Sequence, residues 1–215
     1  QEFHGLEFIV TPDVLIPRGD SEVVVEAALA AQPGPRRVLD CGTGSGALLL
    51  AVLAERPAAE GIGIDRSPGA LAVAQANAAR LGLSGRARML QRDWTEPEWS
   101  DGLGGFDLVL ANPPYVENDA PLAPSVREHE PAGALFAGPE GLDAYRVLIP
   151  QLPGLLTAQG VAVIEIGAAQ ADPVSTIAGS AGFAIRLHRD LGGRPRALEL
   201  SKINKILLGN PTPTP

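Results

Sequence analysis

The sequence predicts an α/β domain, a mostly parallel sheet with helices on both faces, and three observations carry that prediction. Short apolar runs of strand length alternate with longer helical stretches between residues 36 and 201. The runs are blocks of Val, Leu, Ile and Ala, as in strands covered on both sides. Finally, a glycine turn after Cys41, then Asp65, Asp93 and Asn112, all fall at carboxyl ends of predicted strands, the edge where such sheets bind ligands.

Taken in order, residues 3–10, with Gly5 in the middle, read as a short two-stranded ribbon or an irregular cover, and 11–22 as a turn-rich connection. Asp20 is expected to cap a helix running to Ala31, with Glu22 and Glu26 on its wet side and Val23, Val24, Ala27 and Ala28 on its dry one. Gln32-Pro33-Gly34-Pro35 ends it. Strands follow over 36–41, 60–65, 86–91 and 106–111, with a helix over 47–55 and another that Ser67-Pro68 caps and Gly82 stops after Leu81. Residues 117–141 hold four prolines (121, 124, 131, 139) and three glycines (133, 138, 141), the composition of an ordered functional cover. A helix over 142–156, a strand over 161–166, a helix over 170–181 and a strand over 183–187 come next, and 197–201 reads as a closing edge strand. Residues 209–215 read as a disordered tail.

A chain of 215 residues supports one substantial core with appendages. Lys and Arg number 17 against 25 Asp and Glu, a net charge of -8, so the mean surface field disfavours a polyanion and lowers nucleic acid as a partner. Cys41 is the single cysteine, which excludes an intrachain disulfide and a multi-cysteine metal cluster and points to a reducing, cytoplasmic compartment. Cys41 itself reads as a small buried filler. His4, His129 and His188 lack ligand spacing, so no metal is expected. No apolar stretch reaches membrane-spanning length, and the first residues do not read as a signal peptide.

The chemistry concentrates at Ala111-Asn112-Pro113-Pro114-Tyr115. Pro114 has no N–H and holds Pro113 extended, leaving the Pro113 carbonyl free beside the Asn112 side-chain oxygen. Two adjacent acceptors match the two hydrogens of an NH2 group, and Tyr115 adds a flat face. Alone, the same residues would also suit a rigid strand-exit turn with a packed tyrosine. The segment Asp40-Cys41-Gly42-Thr43-Gly44-Ser45-Gly46 lets backbone approach a ligand closely at a strand-to-helix turn. Gly42, Gly44 and Ala47 loosely satisfy a dinucleotide fingerprint, with Asp65 placed for a ribose, so a nicotinamide dinucleotide competes for the site. Two features favour S-adenosyl-L-methionine: Asp40 is placed to meet an amino-acid ammonium, and Asp93-Trp94 to accept from an adenine amino group and pack on its ring.

Together these residues resemble the class I methyltransferase fold and, within it, the HemK/PrmC family of protein-(glutamine-N5) methyltransferases that act on translation release factors. The resemblance rests on Leu15-Ile16-Pro17-Arg18, Asp20-Ser21-Glu22, Val38-Leu39-Asp40-Cys41-Gly42-Thr43-Gly44-Ser45-Gly46, Asp93-Trp94, Asn112-Pro113-Pro114-Tyr115, Glu130-Pro131, Gly138-Pro139-Glu140-Gly141-Leu142, Glu165-Ile166-Gly167 and Gly193-Arg194-Pro195-Arg196. It runs from about Phe8 to Leu200. The glycine turn is common to many methyltransferases, and the Asn-Pro-Pro-Tyr motif is shared with enzymes that methylate amino groups of nucleic acids; the Leu-Ile-Pro-Arg and Gly-Pro-Glu-Gly-Leu segments together are more specific.

The resemblance implies a Rossmann-like, seven-stranded sheet with an antiparallel final strand, 1–34 serving as a ribbon and helix cover of the active site and 35–208 as the catalytic domain. It implies methyl transfer from S-adenosyl-L-methionine, leaving S-adenosyl-L-homocysteine, to the amide nitrogen of a glutamine in a release factor, by a monomeric enzyme. Candidate cofactor-binding residues are Asp40, Gly42, Thr43, Gly44, Gly46, Asp65, Asp93, Trp94 and Asn112. Asn112, Pro113, Pro114 and Tyr115 would hold the acceptor, and Asn112, Pro113 and Tyr115 are the candidate catalytic residues. Gly19 and His129 depart from the family pattern, and the sequence as given does not include the small helical N-terminal domain with which family members engage the protein substrate. N-methylation of an exocyclic amine of DNA or RNA adenine, and a nicotinamide-dependent oxidoreductase, stay open as alternatives at this point.

Overall fold

The computed structural model describes residues 1–121 and 130–203. Glu2–Phe3 (β1) and Leu6–Glu7 (β2) form the expected ribbon, closed by His4 and Gly5 at φ of 49° and 73°, the left-handed geometry that two-residue hairpin turns require. Phe3 and Phe8 meet edge to face at 6.1 Å between centroids and anchor the ribbon in the core. A 3₁₀ turn, Gly19–Ser21, leads into α1 (Glu22–Ala31). Asp20 does not cap α1. It sits inside the turn, where its Oδ2 accepts from Arg196 Nη2 at 2.9 Å, and Ser21 occupies the N-cap without a side-chain bond to the helix's amides. The buried residues of α1 are Val24, Val25, Ala27 and Ala28, so Val25 joins the expected dry side and Val23 is only partly covered.

The next elements are β3 (Arg37–Cys41), α2 (Ala47–Glu55), β4 (Glu60–Asp65), α3 (Pro68–Arg80), β5 (Ala87–Gln91) and β6 (Phe106–Ala111), all close to expectation. Helix α2 is buried from Ala47 through Leu53, and Ser67 caps α3 by accepting from the Ala70 amide at 3.2 Å. The helix expected over 142–156 is broken into α4 (Asp143–Leu148), a 3₁₀ turn (Ile149–Gln151) and α5 (Leu152–Leu155). Pro150 and Pro153 each remove a donor there and crowd the preceding turn. β7 (Leu156–Glu165) begins earlier than expected, with Leu156 opposite Phe106 and a register shift before Val161 meets Leu108. α6 (Ala171–Ser180), β8 (Phe183–Arg189) and β9 (Pro195–Lys202) complete the fold.

The seven strands run in the order β5-β4-β3-β6-β7-β9-β8. Pairings from β5 through β7 are parallel, and β9 is antiparallel to both of its neighbours. The edge is therefore β8, not residues 197–201: β9 inserts between β7 and β8 and buries Ala197, Leu198 and Leu200, whereas most of β8 is exposed. One apolar cluster packs around Leu39, Val109, Tyr145 and Leu148, another around Leu49, Val52 and Leu108, and a small third joins Val14 to Ala70 and Val73. Among the described residues, no helix is long and apolar enough to cross a membrane. The expected tail at 209–215 lies outside the described residues, as does His129.

Candidate active site

The site is built where β3 and β6, neighbours in the sheet, end together, with Cys41 paired to Ala111. After β3 the chain turns through Gly42, Gly44 and Gly46, all at positive φ (73°, 54° and 83°). The amides of Gly42 and Thr43 donate to the Ile64 carbonyl at 2.9 and 2.8 Å, which ties the turn to the end of β4. A Cβ on Gly42 would lie 2.9 Å from the Trp94 ring, so this glycine makes room for the indole. A Cβ on Gly44 would meet nothing nearer than 4.0 Å, so that face of the turn is open.

Two carboxylates flank the turn with different hydrogen-bond partners. Asp65 accepts from the Gly44 amide through Oδ2 at 3.0 Å and from the Ser67 amide through Oδ1 at 2.9 Å, which orients both oxygens while leaving each a lone pair. Asp40 is 1% exposed; its Oδ2 accepts from the Thr43 hydroxyl at 2.7 Å, and its Oδ1 is buried without a hydrogen-bond partner among the described residues. Burial pushes the Asp40 carboxyl up to about 7, the Asp65 charge adding to the rise and the Thr43 hydroxyl opposing it.

These groups open into a cavity of about 560 Å³. Its wall includes Asp40, Gly42, Thr43, Gly44, Asp65, Asp93, Trp94, Asn112 and Pro114, so nine of the sequence candidates converge on one space. Gly46, Pro113 and Tyr115 are not on that wall. Gly46 lies beneath the turn, where a Cβ would press on Leu50 at 3.0 Å, and Pro113 is buried. Tyr115 points its hydroxyl toward Glu165 Oε1, 3.5 Å away, and its backbone carbonyl accepts from Gln170 Nε2 at 3.0 Å. Burial raises the Tyr115 phenol to about 12, with the neighbouring Glu165 adding to the rise. Glu165 is itself 3% exposed and raised by burial to about 7, the Ser21 hydroxyl, Arg196 and Tyr115 pulling the other way.

The rest of the wall comes from segments expected only as covers, 1–34 and 117–141, and from the helix after them. The segment from Asp13 to Pro17 forms one side, and Phe136, Ala144 and Val147 form part of another, none of them individually evident as site residues. The Leu-Ile-Pro-Arg motif was the available signal: Arg18 Nη2 donates to both carboxylate oxygens of Glu130, at 2.9 and 3.1 Å, which joins that segment to the chain following Asn-Pro-Pro-Tyr. Arg66 likewise donates to the Gly133 carbonyl at 3.1 Å. Asn77, fully buried on α3, fixes the Ile9 backbone through both its amide and carbonyl ends and also donates to the Ser45 carbonyl at 2.9 Å. Nothing in its sequence context announces that role.

Comparison with known proteins identifies the family. A family profile described as a methyltransferase domain matches residues 35–178. The chain is 47% identical over 199 residues to a release factor glutamine methyltransferase of Cereibacter sphaeroides, covering 90% of this chain and 69% of that protein. The chain belongs to the HemK/PrmC family of methyltransferases. A second relative, the release factor glutamine methyltransferase of Geobacter sulfurreducens, is 44% identical over 185 residues, which is 85% of this chain but 63% of that protein, so the chain spans less than two thirds of that relative's length. Among solved structures, a ribosomal protein L11 methylase from Lactobacillus delbrueckii subsp. bulgaricus superposes with a TM-score of 0.64 at 23% identity, covering 90% of this chain and 83% of the other, and so shares this chain's fold.

Proposed function

We propose that this chain transfers a methyl group from S-adenosyl-L-methionine to the side-chain amide nitrogen of a glutamine in a protein, a translation release factor, in the cytoplasm. The observation that carries the reading is the convergence of Asn112 with the glycine turn and the unpartnered Asp40 oxygen on one cavity. The donor set fits the cofactor. The bare Gly44 face admits close backbone approach, the buried Asp40 Oδ1 lacks the cation an amino-acid ammonium provides, and Trp94 and Asp93 offer a ring face and an acceptor. Asp65, with both oxygens already oriented, suits the ribose hydroxyls.

When bound, S-adenosyl-L-methionine supplies an electrophilic methyl carbon on its sulfonium and becomes S-adenosyl-L-homocysteine. An amide nitrogen is a weak nucleophile because its lone pair is delocalised into the carbonyl. In this reading the Asn112 side-chain oxygen accepts one N–H bond of the acceptor amide from the cavity wall, and the backbone carbonyl of Pro113, whose ring is buried behind that wall, accepts the other. They orient its nitrogen and favour the positive charge that develops there. Pro114 keeps those acceptors in place, and the Tyr115 contacts with Glu165 and Gln170 brace the same elbow from behind. The alkylated nitrogen is strongly acidic and releases its proton to water, so no strong base is required. A nucleic-acid amine presents the same NH2 geometry, but a chain of charge -8 is a poor match for its backbone.

The test is incubation with labelled S-adenosyl-L-methionine and an intact release factor, followed by peptide mass mapping. Label on one glutamine is the expected result; label on nucleic acid, or none on the protein, overturns the assignment. In calorimetry, Asp65→Ala is expected to weaken cofactor binding about tenfold, the scale of one charge-assisted hydrogen bond pair. Unchanged affinity would remove Asp65 from the site.

A further inference from the structure

Residues 92–105 contain no helix or strand, yet they carry Asp93 and Trp94 to the cavity wall. Bonds within the segment shape it without attaching it: Asp93 Oδ1 accepts from the Thr95 amide and hydroxyl at 2.9 and 2.7 Å, and the Glu96 amide donates to the Asp93 carbonyl at 3.1 Å. The segment's two ends are tied down by the Arg92 amide, which donates to the Asp65 carbonyl at 3.1 Å, and by Arg37, which donates to the Leu103 and Gly105 carbonyls at 2.6 and 2.8 Å. The stretch between them is attached by Gln151, a half-buried residue that is not on the cavity wall. Its Oε1 accepts the indole N–H of the buried Trp99 at 2.5 Å, while its Nε2 donates to the backbone carbonyls of Trp94 at 3.1 Å and Val147 at 2.7 Å.

One carboxamide thus spends both of its hydrogens on the backbones of two wall residues and its oxygen on a tryptophan embedded in the core. Glutamine suits this task as no near neighbour does. Glutamate has no donor for the two carbonyls, leucine has neither function, and asparagine is shorter by a methylene. We propose that Gln151 is a positioning residue that sets affinity for the adenine end of the cofactor by holding Trp94 against Gly42 and fixing its spacing from Val147. The inference rests on the reading of Trp94 as the wall that packs on adenine.

Calorimetric titration of the full chain with S-adenosyl-L-homocysteine tests it, using Gln151→Leu, Trp94→Ala, the double variant and Trp99→Phe. Gln151→Leu is expected to weaken binding about tenfold, the scale of the two hydrogen bonds, of the three it loses, that hold Trp94 and Trp99, and to add nothing in the Trp94→Ala background, because its effect passes through that residue. Trp99→Phe keeps a ring in the core and deletes only the donor; a loss of about threefold is expected, and it decides the matter should Gln151→Leu not fold. Wild-type affinity in Gln151→Leu, or in Trp99→Phe, overturns the proposal. So does an equal loss with and without Trp94, which marks a merely structural role. Wild-type affinity in Trp94→Ala overturns the adenine reading, and this inference with it.

Discussion

Replacing Asn112 with alanine is expected to lower turnover on the authentic acceptor about a hundredfold or more while leaving the fold in place. The side chain is half-buried at the tip of β6 and lines the cavity, so truncating it enlarges that space and opens no hole in the core. What it removes is one of two acceptors directed at charge that grows on the amide nitrogen only as the methyl arrives. Preorganised hydrogen bonds of this kind contribute about 3 kcal/mol to the transition state, which sets the size of the loss. Because the ground-state amide carries little positive charge, the effect falls mainly on kcat and less on KM. Single-turnover rates and thermal melting measured on the same sample check both halves. Turnover within a few-fold of wild type, in a folded variant, would remove Asn112 from the reaction.

The part of this site that was legible in the sequence is the part set by strand ends. Helix 47–55 and strands 60–65 and 106–111 match the structure because glycine, proline and capping residues punctuate them sharply. Once a parallel sheet is inferred, Asp40, Asp65, Asp93 and Asn112 must share an edge. Elements at the carboxyl end of the chain were harder to read. The apolar spacing over 142–156 suggested one helix, and it was Pro150 and Pro153 that decided otherwise. The position of β9 inside the sheet follows from its pairing with β7 on one side and β8 on the other, which no local pattern encodes. The cavity's remaining wall depends on pairings between distant residues, such as Arg18 with Glu130 and Gln151 with Trp94, invisible until the fold brings them together. Tyr115 is half-buried, and its hydroxyl turns toward Glu165 on β7, a contact between distant residues that the motif does not encode.

Asp40 should make cofactor binding depend on pH, and Asp40→Asn should abolish that dependence. Its carboxyl rises from an ordinary value of 3.8 to about 7 in the folded chain because burial disfavours the anion. A carboxyl raised by folding stabilises the protein fully below about 4. That contribution fades as pH climbs to about 7, since the unfolded chain ionises first, and a shift of this size is worth about 4 kcal/mol. Glu165, raised from 4.5 to about 7, contributes with the same sign, so the ligand-free protein should melt at a lower temperature at pH 8 than at pH 5. An ammonium seated at the unpartnered Oδ1 reverses the balance by favouring the anion, so cofactor affinity should rise about tenfold between pH 6 and pH 8. In Asp40→Asn the asparagine oxygen can still accept from the Thr43 hydroxyl, so the turn keeps its bond while the buried charge is gone. Binding at pH 8 should then be weaker by about a hundredfold, on the scale of a broken buried ion pair, and flat across the same pH range. The variant's ligand-free melting temperature at pH 8 should rise. Calorimetric titrations at both pH values, paired with melting curves, measure all three quantities. An affinity that does not change with pH in the wild-type chain would mean that no cation meets Asp40 in the complex.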